Sequence, residues 1–315
     1  MNDKVTISTF QLFKMFPDEE TARTYLESRL WPDGVKCPVC YHGDEFQGPI
    51  KLRITSRKGG FYRCNECKED FTVRTGTIFE RSHIPLHKWL YAMYLLVTAR
   101  KGISSLQLSK EIGITQKSAW FMLHRLREAC GGKDLKKLSG IVEVDETYVG
   151  GKEGNKHERK KLHMGRGAVG KAIVVGLRER GGRVKARHIT DADMANLHGA
   201  IYANVEPGST VHTDEAPVYA DLGGLFFNHA TVNHSVGEFV REQVTVNGIE
   251  SVWAVLKRGL TGVYHQVSPK YLGRYVDEFT FRLNDGNVKI HTLTRLDAMI
   301  RASSGKRLTH EELTQ

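Results

Sequence analysis

Residues 142–152 read VEVDETYVGGK, and they predict a buried β-strand that ends on two acids, Asp145 and Glu146. The valines before the acids suit a core strand, and the two glycines after them break it. A lone acid at a strand end is usually a turn residue or half of a salt bridge. The alternative is a metal ligand whose partners come from elsewhere in the chain.

A second acid in a matching position, Asp214, follows 69 residues after Asp145. Strands KAIVVGLRER and GRVKARHI are followed by a helix, ADMANLHGAIYANV, and by the strand STVHTDEAP, which ends at Asp214. The predicted order is therefore β-β-β-α-β. If the first and fourth strands are neighbours in one sheet, the carboxylates of Asp145 and Asp214 converge at one edge.

A third acid is expected from the helix VNGIESVWAVLKRGL. Its apolar residues recur at helical spacing and form one buried stripe that includes Trp253. Glu250 and Lys257 are two helical turns apart on an adjacent face. Three carboxylates are ligands that suit Mg²⁺ or Mn²⁺, and two such ions support phosphoryl transfer. Lys257 adds a positive charge that can hold a phosphate beside them.

Four cysteines in two CxxC pairs predict a structural Zn²⁺ site. Cys37 and Cys40 are separated by 23 residues from Cys64 and Cys67, and the segment between them alternates like a β-hairpin. Two such pairs complete a closed tetrahedral site of the zinc ribbon type. A redox CxxC needs no second pair, and Cys130 is expected to be a core cysteine.

Residues 104–130 predict a helix-turn-helix. Ser104 or Ser105 can cap the first helix and Thr115 the second, with Gly113 in the turn. Apolar residues that include Leu106 are expected to form its core. The candidate DNA contacts, on the second helix, are Gln116, Lys117, Ser118 and Arg125. An ordinary helical hairpin is the alternative.

Composition agrees with a DNA-binding protein of the cytoplasm. The 315 residues carry a net charge of +10, which favours a polyanionic partner. No apolar run approaches the roughly 18 residues that span a bilayer, so no membrane partner is expected. The N-terminus lacks a secretory signal, and five cysteines are too few for a disulfide framework.

With these residues in view, the chain resembles the transposases of bacterial insertion sequences, and more narrowly the ISXO-like subgroup with an N-terminal zinc ribbon and a DDE catalytic domain. The resemblance runs from about residue 20 to about residue 285. The stretches that carry it are CPVC, YRCNECKEDFTVRTGTIF, EVDETYVGGK, VHTDEAPVY, VNGIESVWAVLKRG and YHQVSPKYLGRYVDEFTFRLN.

The resemblance implies an α/β multidomain chain whose catalytic domain is ribonuclease H-like with a mixed sheet. Its catalytic and metal-binding acids fall on Asp145, Asp214 and Glu250, and its following lysine falls on Lys257. The expected domains are residues 1–80 (helix and ribbon), 81–135 (helix-turn-helix), 136–290 (catalytic domain) and 291–315 (C-terminal helix and tail).

The resemblance also implies an activity. The enzyme would bind the terminal inverted repeats of its element, cut the DNA, and join the new 3′-hydroxyl to double-stranded target DNA. Two ends must meet, so a homodimer or larger assembly on DNA, associated with the nucleoid, is expected. The basic segment 152–171 is a candidate DNA clamp or a solvated loop. A transposase-derived regulator, a nuclease of the same fold without joining, and a zinc-binding RNA-processing factor remain as alternatives.

Overall fold

A computed structural model describes residues 5–40, 52–54, 59–132, 136–151, 157–160, 170–222, 224, 227–232 and 244–315. The chain divides into two compact units. The first combines Met1–Gly132 with Asp285–Gln315, and the second is Lys133–Asn284. The C-terminal segment thus folds with the N-terminal part of the chain.

In chain order, the helices and strands are α1 (Thr9–Met15), α2 (Glu19–Leu30), β1 (Leu52–Ile54), β2 (Tyr62–Cys64), β3 (Asp70–Phe71), α3 (Leu86–Thr98), α4 (Ser105–Ile112), α5 (Gln116–Cys130), β4 (Ile141–Val149), β5 (Ala172–Glu179), β6 (Val184–Ile189), α6 (Met194–Asn204), β7 (Thr210–Asp214), β8 (Asn228–Val232), α7 (Asn247–Gly259), α8 (Pro269–Leu283), α9 (Thr292–Ala302) and α10 (His310–Thr314).

In the first unit, β1, β2 and β3 form an antiparallel sheet in which Leu52 pairs with Cys64. This confirms the hairpin predicted between the two CxxC pairs. Trp31, Tyr62 and Phe71 pack their rings together beside the cysteines. Aromatic contacts of this kind give a small ribbon the apolar core that its short strands alone do not supply.

Helices α4 and α5 form the predicted helical pair. The hydroxyl of Ser104 accepts from the backbone N–H of Gln107, and that of Thr115 accepts from the N–H of Ser118. Gly113 ends α4 with a φ of 62°, a conformation in which glycine is not strained. The capping signals in the sequence therefore place both helix starts correctly.

The second unit is built on a five-stranded sheet with the order β6-β5-β4-β7-β8. The first three strands of the chain order, β4, β5 and β6, are antiparallel, whereas β7 and β8 run parallel to β4. Helix α6 covers one face with an apolar cluster, and α7 and α8 cover the other. This mixed sheet confirms the expected ribonuclease H-like fold. Strand β8 was not predicted.

Two predictions for α4 and α5 are wrong. Arg125 is buried, not a DNA contact: its guanidinium donates to the carbonyl oxygens of Leu308 (3.0 Å), Ile78 (3.0 Å) and Glu80 (2.9 Å). Leu106, expected in the core, is 56% exposed. Helical periodicity does not show which face of each helix the neighbouring segments cover. On α5 the covered face includes Arg125, and on α4 it leaves out Leu106.

The C-terminal segment is also more ordered than expected. After α9 the predicted loose tail contains a further short helix, α10, whose hydroxyl cap is Thr309. Leu308 and Leu313 are buried. Among the residues that the structure describes, no helix has the length and apolar character needed to cross a bilayer.

We predict that Arg125→Met destabilises the first unit, because the carbonyl oxygens of Leu308, Ile78 and Glu80 lose their donor. A loss of about 2 kcal/mol corresponds to a melting temperature lower by roughly 4–8 °C in a unit of this size. Calorimetry of the whole chain measures the shift. Lys117→Met, an exposed change on the same helix, is the control and should stay within about 0.5 kcal/mol of wild type. Equal shifts in the two variants would contradict a structural role for Arg125.

Candidate active site

Two of the predicted acids lie on neighbouring strands. Strands β4 and β7 are parallel, and Glu143 pairs with His212. Two residues further along each strand, the same register brings Asp145 beside Asp214. Residues two apart on a strand share a face, so these acids project towards the face that α7 covers. The adjacency of the first and fourth strands, on which the predicted convergence depended, is present.

The carboxylate of Asp145 is held by a tryptophan. Trp253 Nε1 donates to Asp145 Oδ2 at 2.8 Å. Burial and the neighbouring charge of Glu146 raise the pKa of Asp145 to about 7, the hydrogen bond from Trp253 opposes that rise, and the charge of Asp214 adds to it. A cation bound beside these three carboxylates would reduce the repulsion between their charges.

Trp253 reaches Asp145 only because position 176 has no side chain. Gly176 on β5 pairs directly with Asp145 on β4. A Cβ atom at position 176 would lie 2.4 Å from Cη2 of Trp253 and 3.0 Å from Cδ1 of Ile249. The glycine therefore leaves the space that the indole ring occupies when its N–H meets the acid.

Helix α7 runs alongside β4 and is attached to it at two levels. The backbone N–H of Ile249 donates to Glu143 Oε2 at 2.9 Å, and four residues later Trp253 bonds to Asp145. Four helical residues rise about 6 Å, and the two strand residues from Glu143 to Asp145 rise about 6.6 Å. Because these two distances are nearly equal, both hydrogen bonds between the helix and the strand can form at once.

The start of α7 is held by a buried carboxylate, that of Glu143. Glu143 is 3% exposed, and its Oε2 accepts a hydrogen bond from the N–H of Ile249. Its Oε1 forms an ion pair with Nη2 of Arg180 at 3.3 Å. No side chain of α7's own preceding residue caps the helix, so this carboxylate from β4 satisfies one of the free N–H groups at its start. Gly248 makes room for it, since a Cβ there would lie 2.3 Å from Glu143 Oε2.

Two further contacts hold the same helix start. Arg178 of β5 donates to the carbonyl oxygen of Gly248 and, at 3.0 Å, to the hydroxyl of Ser251. The N–H of Thr245 points to Nδ1 of His212 at 3.4 Å. Burial lowers the pKa of His212, so its ring stays neutral near pH 7 and can accept that N–H.

Glu250 and Lys257 both lie on the exposed side of α7. Glu250 is three residues before Trp253, a spacing that brings Cβ atoms within about 5–6 Å on a helix. In the described part of the chain, however, the acids form no group of three or more whose ligand atoms lie within 4.8 Å of one another. The structure thus brings Asp145 and Asp214 together and leaves Glu250 at the edge of the same region.

Glu146, the second acid of the opening stretch, belongs to a different environment. Its Oε2 accepts a hydrogen bond of 2.7 Å from the hydroxyl of Tyr219. Burial raises the pKa of Glu146, with a further contribution from the charge of Asp214. Because successive strand residues point to opposite faces, Glu146 leans away from α7. Its contact fixes the short turn that follows Asp214.

The four cysteines meet as a zinc site requires. All four sulfur atoms lie within 4.8 Å of one another, and the Cys37–Cys67 and Cys40–Cys64 sulfur distances are both 3.7 Å. Four thiolates at about 2.3 Å from one zinc are about 3.8 Å apart. Burial alone would raise the pKa of Cys64, but backbone N–H groups of Cys67 and Glu66 help to lower it to about 7. The donor set fits Zn²⁺.

The remaining predicted contacts lie on α5 or in the basic segment. Gln116 and Lys117 are exposed at the start of α5, and Ser118 is half-buried. Gln116 Nε2 donates to the Ser105 hydroxyl at 2.8 Å. Most of the basic segment 152–171 lies outside the described residues, which include only 157–160 and 170–171 of it.

Sequence reasoning missed three residues that shape this region: Glu143, Gly176 and Trp253. Trp253 was assigned to the apolar stripe, and it does pack there, but its N–H also serves Asp145. A signal for Glu143 was present, since it is an acid in an otherwise apolar strand and faces the same side as Asp145. Gly176 interrupts the strand AIVVGLRE, which marks a close approach by another group.

Comparisons with known proteins agree with this architecture. Residues 137–284 match the ISXO2-like transposase domain, and residues 17–70 match the transposase zinc-ribbon domain. A protein of Halobacterium salinarum, described as an uncharacterized protein in transposable element ISH50, is 31% identical over 281 residues. That alignment covers 85% of this chain and 92% of the relative.

Two solved structures are distant neighbours. The Mos1 strand transfer complex and a pre-cleavage Mos1 transpososome each align with 70% of this chain at 12% identity. The alignments cover 79% of the chain in the first structure and 80% of the chain in the second. Their TM-scores are 0.28 and 0.17. The sequence matches extend over most of the chain, which belongs to the ISXO2-like transposase family with an N-terminal zinc ribbon.

Proposed function

We propose that the protein is a DDE-type transposase that binds the terminal inverted repeats of an insertion sequence and catalyses metal-dependent DNA cleavage and strand transfer. The observation that carries this proposal is the parallel pairing of β4 and β7, which sets Asp145 beside Asp214 under α7 in the family's catalytic domain. Family membership favours strand transfer over simple hydrolysis.

In this proposal Asp145, Asp214 and Glu250 hold Mg²⁺ or Mn²⁺. The raised pKa of Asp145 supports the assignment, because it comes from burial and from the charges of Glu146 and Asp214, and a cation would balance those charges. When bound, such ions activate the attacking oxygen and stabilise the leaving oxygen of a phosphoryl transfer. Trp253 keeps the Asp145 carboxylate in a fixed orientation. Lys257, exposed two turns after Glu250, contacts a DNA phosphate.

The first unit recognises the element ends. Its zinc ribbon gains its fold from Zn²⁺ on the four cysteines. Gln116 and Lys117, exposed at the start of α5, lie where a recognition helix meets base edges. Since two ends must be joined to one target, the active form is a homodimer or larger assembly on double-stranded DNA.

A cleavage and joining assay tests the catalytic residues. Purified protein is mixed with labelled DNA from the ends of its own element and a target plasmid, with Mg²⁺ or EDTA. Asp145→Asn and Glu250→Ala should each lower the rates of cleavage and joining more than about 100-fold, since even the residues that orient metal ligands are worth 10–100-fold. DNA binding should be retained, as measured by mobility shift.

Glu206→Ala removes an exposed acid that lies beyond α6 in the same unit, and it serves as the control with wild-type rates. Cleavage without joining by the wild type would identify a nuclease. Binding with neither reaction would identify a regulator. Wild-type rates in Glu250→Ala would remove that residue from the site.

The affinity for Mg²⁺ should depend on pH. In the folded protein Asp145 keeps its proton up to about pH 7, and a metal ion must displace that proton. With a pKa of about 7, roughly a tenth of Asp145 is ionised at pH 6 and nearly all of it at pH 8. The affinity for Mg²⁺ at pH 6 should therefore be about tenfold lower than at pH 8. Isothermal titration calorimetry in buffers of different ionisation enthalpy measures both the affinity and the released proton. Equal affinities at the two pH values would mean that Asp145 is not a ligand.

Glu143 should act as a positioning residue. Glu143→Ala removes the acceptor for the Ile249 N–H, so the start of α7 and Glu250 lose their fixed place; we expect a rate roughly 10–100-fold lower and a higher half-saturating Mg²⁺ concentration. Glu143→Gln keeps an acceptor oxygen and should restore most of both values. The test is the Mg²⁺ dependence of cleavage in the two variants. If both variants behave alike, the contact with Ile249 does not set the site.

A further inference from the structure

A cavity of about 630 Å³ lies in the second unit, between the end of β4 and the segment that joins α7 to α8. Tyr148 and Val149 line it from the strand, Lys257 and Thr261 from the helix end, and His265 from the connecting turn. Its volume is in the range of pockets that hold small organic molecules. The acids of the proposed catalytic site are not among its lining residues.

The walls of the cavity combine an apolar floor with a polar, cationic rim. Val149, Leu260 and Leu272 belong to, or pack against, the apolar cluster under α7 and α8. Lys257 and His265 on the rim are exposed. A nucleotide has matching chemistry, since its base offers apolar faces and polar edges and its phosphate carries a negative charge.

The chain is strained at the rim. His265 has a φ of 58° and a ψ of −51°, and the N–H of Gln266 donates to the carbonyl oxygen of Tyr264 at 2.6 Å. This is the rare γ-turn with positive φ. It directly follows a π-helical turn, Leu260–Tyr264. Both features are unusual, and both are found preferentially at functional sites.

The cavity lies within reach of a DNA strand at the acids. Tyr148 is three residues beyond Asp145 on β4, which is about 10 Å along a strand. A stacked DNA strand advances about 3.4 Å per nucleotide. A nucleotide within about three positions of a phosphate at Asp145 can therefore enter the cavity.

We propose that this cavity binds one unstacked nucleotide of the DNA strand that is cut, with Lys257 at its phosphate and His265 at the base edge. The proposal rests on the proposed function, since it needs the scissile phosphate at Asp145. Holding a nucleotide out of the stack next to the cut would fix the strand in register with the acids.

Fluorescence of 2-aminopurine tests the proposal, because this base brightens when it leaves the stack. Element-end DNA carries it at each position within three nucleotides of the cut, with Ca²⁺ in place of Mg²⁺ to keep the DNA intact. One position should brighten several-fold on addition of wild-type protein. Thr261→Trp, which fills the cavity, should abolish the rise without loss of binding in a mobility shift. Gly262→Trp, one residue away and outside the lining, should retain it.

His265→Gly gives an independent reading. Glycine adopts positive φ without strain, so the melting temperature should not fall, whereas the fluorescence rise should be reduced. A full signal in Thr261→Trp, or no bright position with wild-type protein that still cuts and joins DNA, would overturn the cavity proposal and leave the proposed function standing. A wild-type protein that neither binds nor cuts end DNA would overturn both.

Discussion

The attachment of helix α7 to strand β4 is the constraint on which the rest of the second unit depends. Glu143 holds the helix at Ile249, and Asp145 holds it at Trp253. Because the strand and the helix rise by nearly the same distance between these contacts, neither can shift without losing one of them. The exposed residues of α7, Glu250 and Lys257, take their positions from this pair of contacts. A buried carboxylate thus acts as a helix cap and as the reference point for the site.

This arrangement has an energetic cost that the isolated protein must bear. The pKa of Asp145 is raised from 3.8 to about 7, so between these values the folded chain binds more protons than the unfolded chain. Stability contributed by this group is therefore highest at low pH and falls as pH rises towards 7. Above that range the ionised carboxylate opposes folding until a cation balances it. If these acids hold a cation as proposed, its binding would offset this cost and stabilise the folded chain.

The sequence was sufficient for features with a local physical signal, and insufficient where distant segments decide. Cap residues such as Thr115, the paired CxxC motifs and the apolar strand that carries Asp145 each have their own signal. Helical periodicity, by contrast, identifies the faces of α4 and α5 but not the segments that cover them. Arg125 is buried under Leu308, which is 183 residues away in the chain. Trp253 fitted the apolar stripe, and only the position of Gly176 across the sheet reveals its second contact.

Alternation along β4 unites the parts of the site. Glu143, Asp145 and Val149 all lie at odd positions and face α7, where they cap the helix, supply the first acid and form part of the cavity floor. A shift by one residue would turn each of them to the α6 side. One register of β4 therefore places the helix cap, the acid and a residue of the cavity floor on the same face. The paired strand β7 brings Asp214 to that face. A DNA strand laid along this axis would meet the acids first and the cavity next, which is the order that cutting beside a held nucleotide requires.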